Sequence, residues 1–330
     1  MTDKIRIGIV GYGNLGRGVE SAIAQNGDME LVAVFTRRNP QAVVLLDSRV
    51  PVRDLGSIQD FKSRIDVLIL CGGSKNDLPR QGPELAAWFN TIDSFDTHAK
   101  IPEYFAAVDA AARAGGNTAI ISVGWDPGLF SINRLFGEAV LPQGATYTFW
   151  GKGLSQGHSD AVRRIPGVKA AVQYTIPVED AVNRVRSGAL PSLSTRDKHT
   201  RDCYVVLEEG ADGAAVETAI KTMPDYFADY DTTVNFIGED ELQRDHSAMP
   251  HGGFVIRSGK TGAESARAQV MEYSLKLESN PEFTSSVLVA YARAAVRLSR
   301  QGAVGAHSVF DVAPGLLSPK TPQQLRKELL

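Results

Sequence analysis

Three glycines, two arginines and two aspartates, each following a strand-like apolar run, are the residues in this chain whose types and spacing could do chemistry. Gly11, Gly13 and Gly16 form G-x-G-x-x-G within Gly11-Tyr12-Gly13-Asn14-Leu15-Gly16. The motif directly follows Ile5, Ile7, Ile9 and Val10 and directly precedes a helical run containing Val19, Ala22 and Ile23. In that order the first glycine permits a tight turn and the second lets the backbone approach a pyrophosphate. The third lets the helix sit close on the strand, and the helix N-terminus offers unpaired N–H groups to the anion. Dinucleotide binding is the reading; a glycine-rich turn used only for packing is the bland alternative. The next strand, from Met29 to Phe35, ends in Thr36-Arg37-Arg38. An NAD site usually carries an acidic residue there for the ribose 2′-hydroxyl. A guanidinium fork can instead bind a 2′-phosphate that a carboxylate would repel. NADP is therefore expected, against two merely solvated arginines.

The elements that must position these groups follow from periodicity. Ile65 to Leu70 reads as a buried strand opening into Cys71-Gly72-Gly73-Ser74, where small residues leave room for a ligand at the strand's carboxyl end. Cys71 suits a small core position better than a nucleophile, with no His nearby in sequence. Leu85 to Phe89 reads as helical, Asn90 to Asp96 as a strand entering a loop, and Ile101 to Ala114 as a helix stopped at Gly115-Gly116. Thr118 to Val123 is a further strand opening into Gly124-Trp125-Asp126-Pro127-Gly128. Strands alternating with helices describe a doubly wound parallel sheet, and Asp96 and Asp126 both fall on its ligand side.

After Ser131 the strands alternate in the manner of a half-buried sheet. Gln269 to Leu277 puts Met271, Tyr273, Leu275 and Leu277 on one face and Glu272, Ser274 and Lys276 on the other. The expected architecture is α/β: an N-terminal Rossmann-like doubly wound sheet over 1–124 and a C-terminal α+β domain over 125–280. A mixed or antiparallel sheet forms the second domain, and a helical segment over 281–330 is left undocked, its return to the first domain open.

Composition narrows the function classes. Lys and Arg number 35 against 38 Asp and Glu, a balance that argues against a nucleic-acid or membrane-surface protein. No apolar run approaches about 18 residues and no charged-then-apolar leader opens the chain. Two cysteines, Cys71 and Cys203, are too few for a disulfide scaffold or a cysteine metal site. A cytoplasmic protein with reduced thiols is expected.

Several loops of the second half carry polar groups that no strand or helix needs. Trp150-Gly151-Lys152-Gly153-Leu154-Ser155-Gln156-Gly157-His158-Ser159 is glycine-rich, aromatic and hydroxylated at once, and Met249-Pro250-His251-Gly252-Gly253 presents a histidine in a turn. Arg201 precedes Cys203, and Asn280 lies in Ser279-Asn280-Pro281, where it could act as a helix cap, a ligand or both.

Gly11-Tyr12-Gly13-Asn14-Leu15-Gly16, Gly124-Trp125-Asp126-Pro127-Gly128, the run from Gly153 to Ser159, Arg163-Arg164-Ile165-Pro166-Gly167-Val168, Thr222-Met223-Pro224-Asp225-Tyr226-Phe227 and Met249-Pro250-His251-Gly252-Gly253 resemble the bacterial meso-diaminopimelate D-dehydrogenases over nearly the whole chain, diverging at residues 39–60 and in the extreme C-terminal tail. The resemblance implies NADP-dependent, reversible oxidative deamination of the D-centre of meso-2,6-diaminopimelate in lysine biosynthesis, with no metal and a homodimer built through the second domain. It implies Asp96 and Asp126 on the D-centre ammonium, Trp150 as a wall, and Gln156 and Gly157 on the near carboxylate. Thr175, Arg201, His251 and Asn280 would grip the distal L-centre. The cofactor set is Gly11, Tyr12, Gly13, Asn14, Leu15, Gly16, Thr36, Arg37, Arg38, Cys71, Gly72, Ser74, Gly124, Trp125, Pro127 and Gly128. Asp126 is the first candidate for proton transfer and His158 a second. The rivals are another two-domain NADP reductase, of the dihydrodipicolinate reductase or sugar oxidoreductase type, and a non-catalytic redox sensor. The sugar enzymes usually offer a Glu-Lys-Pro loop, which is absent here, and the balanced charge gives a sensor no DNA-reading surface.

Overall fold

The computed structural model describes residues 4–330. Apolar runs become strands and amphipathic runs become helices. In chain order they are β1 (Ile5–Val10), α1 (Asn14–Ala24), β2 (Met29–Thr36), β3 (Val52–Asp54), β4 (Val67–Leu70), α2 (Leu78–Ala86) and β5 (Thr91–Asp93). Next come α3 (Ile101–Gly115), β6 (Thr118–Ile120), α4 (Leu129–Val140), β7 (Gly144–Trp150), β8 (Gly153–Leu154), α5 (Gln156–Arg163) and β9 (Val168–Pro177). They are followed by α6 (Glu179–Arg186), α7 (Thr195–Lys198), β10 (His199–Leu207), α8 (Gly213–Lys221), β11 (Asp231–Phe236) and α9 (Glu239–His246). The last are β12 (His251–Thr261), β13 (Arg267–Leu277), α10 (Asn280–Arg300), β14 (Gly305–His307) and α11 (Pro322–Leu329). Two compact units result: the residues up to Ile132 with Pro281–Leu330, and Asn133–Asn280.

The first unit holds a seven-stranded sheet in the order β14-β6-β5-β4-β1-β2-β3. Every pair in it is parallel. This is the doubly wound sheet the alternation of elements predicts, with order reversing between β1 and β4, where such sheets bind ligands. Both faces are covered, which is why β4 reads as an unbroken apolar run. On one face Ile7, Ile9 and Ile69 pack against Val19, Ile23, Leu288 and Tyr291 of α1 and α10. On the other, Phe35, Leu68 and Leu70 meet Leu78, Leu85, Tyr104 and Val108 of α2 and α3. The helix expected over Leu85 to Phe89 instead runs Leu78–Ala86, with Pro79 in its first turn and Phe89 beyond its end. Pro is well tolerated at a helix start, a signal the apolar cluster outweighed.

The second unit carries two sheets where the strand pattern predicts one. β11-β10-β9-β8 is mixed, with β10 and β11 parallel and the rest antiparallel; β13-β12-β7 is antiparallel throughout. Alternation fixes which face of a strand is buried but says nothing of its neighbours. Val162 and Val216 cover the first sheet, and Val182 and Val185 the second. In β13 the expected apolar face holds only for Tyr273, Leu275 and Leu277; Met271 and the residues before it are exposed along an edge strand.

One buried charge pins the returning segment of the first unit. Arg293 in α10 is 2% exposed and pairs with Asp28 at 2.7 Å. It also donates to Asn26 Oδ1 and to the carbonyl of Leu317, both at 2.7 Å. The hydrogen bond from Arg293 holds the Asp28 carboxyl below its usual range, against the burial that opposes it. Arg293→Met strands these acceptors, and the urea-unfolding free energy is expected to fall by about 3 kcal/mol. A change within error of zero would show that the pair does not tie α10 to the sheet.

Candidate functional site

In the first unit the glycine motif sits at the end of β1 as its spacing requires. Gly11 has φ +90°. A Cβ on Gly16 would lie 2.4 Å from the Gly11 carbonyl oxygen, so α1 packs on the turn at a distance only glycine allows. Gly13, the residue before α1, faces open space. Beside it lies a cavity of about 450 Å³ lined by Gly11, Tyr12, Gly13, Thr36, Arg37, Arg38, Cys71 and Gly72, with Asp77 and Gln81 from the segment of α2. Asn14, Leu15, Gly16, Ser74, Gly124, Trp125, Pro127 and Gly128, expected at the cofactor, lie outside this lining.

The donors around the cavity suit a phosphorylated dinucleotide. A helix N-terminus and two exposed guanidinium groups supply positive charge. The buried Gln81 Oε1 has no hydrogen-bond partner among the described residues and offers an acceptor. Arg38 donates to the Tyr12 carbonyl, and its own N–H bonds Thr36 Oγ1 at 3.1 Å. Arg37 pairs with Asp77 at 2.6 Å. An ion pair this open to solvent contributes little and yields readily to a phosphate. Tyr12 is buried and donates to Glu20, whose oxygens also accept from Leu46 and Asp47 N–H; burial first, then Glu20, pushes the phenol up to about 12. Burial likewise pushes the Cys71 thiol up to about 12, so it stays protonated.

Asp96 and Asp126 follow the carboxyl ends of the neighbouring strands β5 and β6. Asp96 is exposed, and its N–H bonds Ser74 Oγ at 3.1 Å. Asp126 is half-buried in a turn closed by the Trp125–Gly128 bridge and by Gly128 N–H donating to Ser131 Oγ at 3.1 Å. The ring of Trp125 packs edge-on against Phe130, centroids 5.2 Å apart.

The second unit gathers its polar residues around β9 and β10. Thr175 and Arg201 are cross-strand partners, and the guanidinium donates to Thr175 Oγ1. Arg201 is 5% exposed and its guanidinium lies 3.9 Å from the Tyr230 ring centroid, with no hydrogen-bond partner for its Nε among the described residues. Burial pulls this guanidinium below its ordinary pKa. Trp150 ends β7 partly exposed; its N–H donates to His199 Nε2 at 2.8 Å and its ring stacks on that imidazole at 5.3 Å. Gln156 opens α5, with Nε2 3.2 Å from Met249 Sδ, and Gly157 follows it on the exposed surface. His251 begins β12 and accepts from Gly252 N–H at Nδ1, 2.8 Å. Asn280 is the first residue of α10 and donates its N–H to the Met249 carbonyl at 3.0 Å. His158 Nδ1 shares a 2.8 Å hydrogen bond with Ser155 Oγ, and its ring meets Tyr226 and Phe227 edge-on.

Comparison with known proteins decides the family. Residues 124–279 match the diaminopimelic acid dehydrogenase C-terminal domain. A meso-diaminopimelate D-dehydrogenase of Ureibacillus thermosphaericus is 70% identical over 99% of both chains. The chain belongs to the meso-diaminopimelate D-dehydrogenase family. Two solved members align along it. The Corynebacterium glutamicum enzyme in complex with diaminopimelate is 48% identical, covers 100% of both chains and has a TM-score of 0.92. An engineered D-amino acid dehydrogenase bound to NADP+ is 46% identical, over 99% of this chain and 100% of its own, with a TM-score of 0.86.

Sequence reasoning passed over Gln81, His199, Tyr230 and Asp93. His199 was legible in principle, since His199, Arg201 and Cys203 share the buried face of an alternating strand. Gln81 stands on the apolar face of α2 with Leu78 and Leu85. The other two are singled out only by tertiary contacts.

Two outcomes follow from this geometry. Replacing Arg37 and Arg38 by Ala should raise the KM for NADP by at least about tenfold, the worth of a lost charged hydrogen bond, and leave that for NAD nearly unchanged. Equal effects on both cofactors would refute 2′-phosphate recognition. Burial, with Arg201 nearby, pulls His158 down to about 4, and burial with Arg201 and Lys198 pulls His199 down to about 3. As pH falls below 6.5 the unfolded chain takes up protons that the folded chain refuses, so stability drops toward those values. The loss should be on the order of 2 kcal/mol per histidine by pH ~5. His199→Gln should flatten the profile, and a wild-type stability independent of pH over this range would contradict the assignment.

Proposed function

We propose that this chain catalyses the reversible, NADP-dependent oxidative deamination of meso-2,6-diaminopimelate at its D-centre, in lysine biosynthesis. The products in the forward direction are L-2-amino-6-oxopimelate, which cyclises to tetrahydrodipicolinate, together with ammonia and NADPH. The observation that carries the reading is the presence of two carboxylates at the tips of adjacent strands in the unit that holds the dinucleotide cavity. Membership of the family supports it along the full chain. NADP, when bound, accepts the hydride.

The residues divide the work by charge. Asp96 and Asp126 bind the D-centre ammonium and orient its Cα–H; positioning of this kind is the larger part of what a protein adds to hydride transfer. Trp150, braced by His199, walls the reacting end, and Gln156 and Gly157 bond its carboxylate. Thr175, Arg201, His251 and Asn280 grip the distal L-centre, with Arg201 as the carboxylate clamp. Holding the far centre by its handedness presents the D-centre for reaction. Asp126 takes the amine proton as the imine forms, and water then releases ammonia. His158 is the weaker candidate, since its Nδ1 is already engaged by Ser155 and aromatic rings pack on it.

We assign a homodimer through the second unit, supported by the place of β13 at the edge of its sheet among the described residues and by its exposed Val270 and Met271. A cytoplasmic setting accords with two free cysteines.

Purified protein with NADP should produce NADPH absorbance with meso-diaminopimelate and with neither the L,L nor the D,D isomer at comparable rate. Absence of signal with the meso isomer would sink the reaction named. Asp126→Ala should lower kcat by about 100-fold or more with NADP binding intact. Arg201→Met should raise the diaminopimelate KM by about tenfold or more and leave the NADP KM alone. Retention of wild-type kinetics in either variant would remove that residue from its role.

A further inference from the structure

We propose that Asp93 is a positioning residue that fixes, from one buried carboxylate, the backbone of both loops carrying Asp96 and Asp126. The proposal rests on the reading of those two aspartates given above. Asp93 is the last residue of β5 and is 1% exposed. Its Oδ1 accepts from Phe95 N–H at 3.0 Å and from Ser122 N–H at 3.1 Å, while Oδ2 accepts from the Tyr104 hydroxyl at 2.7 Å. Phe95 directly precedes Asp96, and Ser122 stands four residues before Asp126.

The β5–β6 ladder ends at the Ile92–Ile120 pair. Beyond it the two strands would separate, and the groups that still join them belong to Asp93. Its carboxylate takes Ser122 N–H and its carbonyl takes Val123 N–H at 2.8 Å. Ser122 adopts φ +57°, a left-handed conformation that a non-glycine residue holds only when its surroundings impose it. The strap from the Asp93 side chain supplies that imposition and redirects the chain toward Gly124-Trp125-Asp126.

On the other side the carboxylate is held rigid. Tyr104, 5% exposed, stacks on Phe95 with centroids 4.1 Å apart. A Cβ on Gly82 would lie 2.0 Å from the Tyr104 oxygen, so α2 leaves room for this hydroxyl and nothing larger. A carboxylate accepting three donors in an apolar setting has little freedom to move, because each bond lost leaves a buried polar group unpaired. A shift of about 1 Å in a substrate-orienting group can cost about 100-fold in rate.

The test compares Asp93→Leu, Asp93→Asn and Tyr104→Phe with the wild type by three readouts: meso-diaminopimelate kinetics, NADP affinity, and amide hydrogen exchange of segments 94–97 and 122–128. Asparagine keeps an oxygen for the two N–H groups, so it should stay within about tenfold of wild-type kcat/KM. Tyr104→Phe, which keeps the carboxylate and both N–H bonds, should behave likewise. Leucine removes the acceptor and should cost about 100-fold, with NADP affinity changed less than about threefold and faster exchange in both segments. A folded leucine variant with wild-type kinetics and exchange overturns the proposal. So does a leucine variant whose NADP affinity falls in proportion, which marks a merely structural residue, or an asparagine variant as impaired as leucine, which makes charge and not hydrogen-bond geometry decisive. Should the wild type fail to turn over meso-diaminopimelate, the functional reading fails while exchange at the two loops still decides whether Asp93 anchors them.

Discussion

A parallel ladder imposes a direction on everything attached to it. In the first unit all seven strands point the same way, so the segments after β1, β2, β4, β5 and β6 leave from one edge of the sheet. The glycine turn, the two arginines, the Cys71–Ser74 segment and the two acidic loops are those segments. Scattered over more than a hundred positions in sequence, they are gathered by strand polarity alone, before any side chain chooses a partner. The cost of that arrangement is covering both faces of the sheet, and the chain meets it by bringing α10 back to pack with α1, secured by the buried Arg293.

How much of this was legible varies with the range of the interaction. Local chemistry was plain. The glycine spacing predicted the strand–turn–helix at Gly11–Gly16, and Arg37 and Arg38 at the end of β2 do line the cavity beside it. The longer strands were also plain, since a β-branched run needs no partner to be recognised, but the two- and three-residue strands β3, β8 and β14 escaped that pattern. Strand partnership was not: β12, β13 and β7 form a sheet apart from β8–β11 because ladder pairing joins residues far apart in sequence. The exposed half of β13 illustrates the same limit, for a pattern of alternating polarity cannot tell where cover stops. Asp93 was hidden for another reason. Three residues before Asp96, it reads as one more acidic residue at a strand end, and only burial distinguishes the one that braces from the one that faces solvent.

The two acidic loops also show how rigidity and exposure are kept together. In their proposed role Asp96 and Asp126 would need access for a cation, yet a loop open to water is a poor platform for orientation. The structure separates the two demands. Asp96 is exposed and Asp126 half-buried, while Asp93, Phe95, Tyr104 and Trp125 behind them are buried. Backbone N–H groups of both loops donate to the Asp93 carboxylate.

Charge in the second unit is arranged by desolvation. Burial keeps His158 and His199 neutral well below ordinary pH, which makes one an acceptor for the Trp150 amide and leaves both without charge. Arg201 cannot escape in the same way, because a guanidinium holds its proton under any biological condition. It is therefore a fixed cation, held against a hydroxyl and an aromatic face. A buried charge left in that condition is costly to the folded chain. An anionic group reaching it recovers part of that cost as binding energy, whereas a ligand lacking the carboxylate recovers none. Under the proposed role, the third residue of β10 would therefore favour a ligand with an acidic far end.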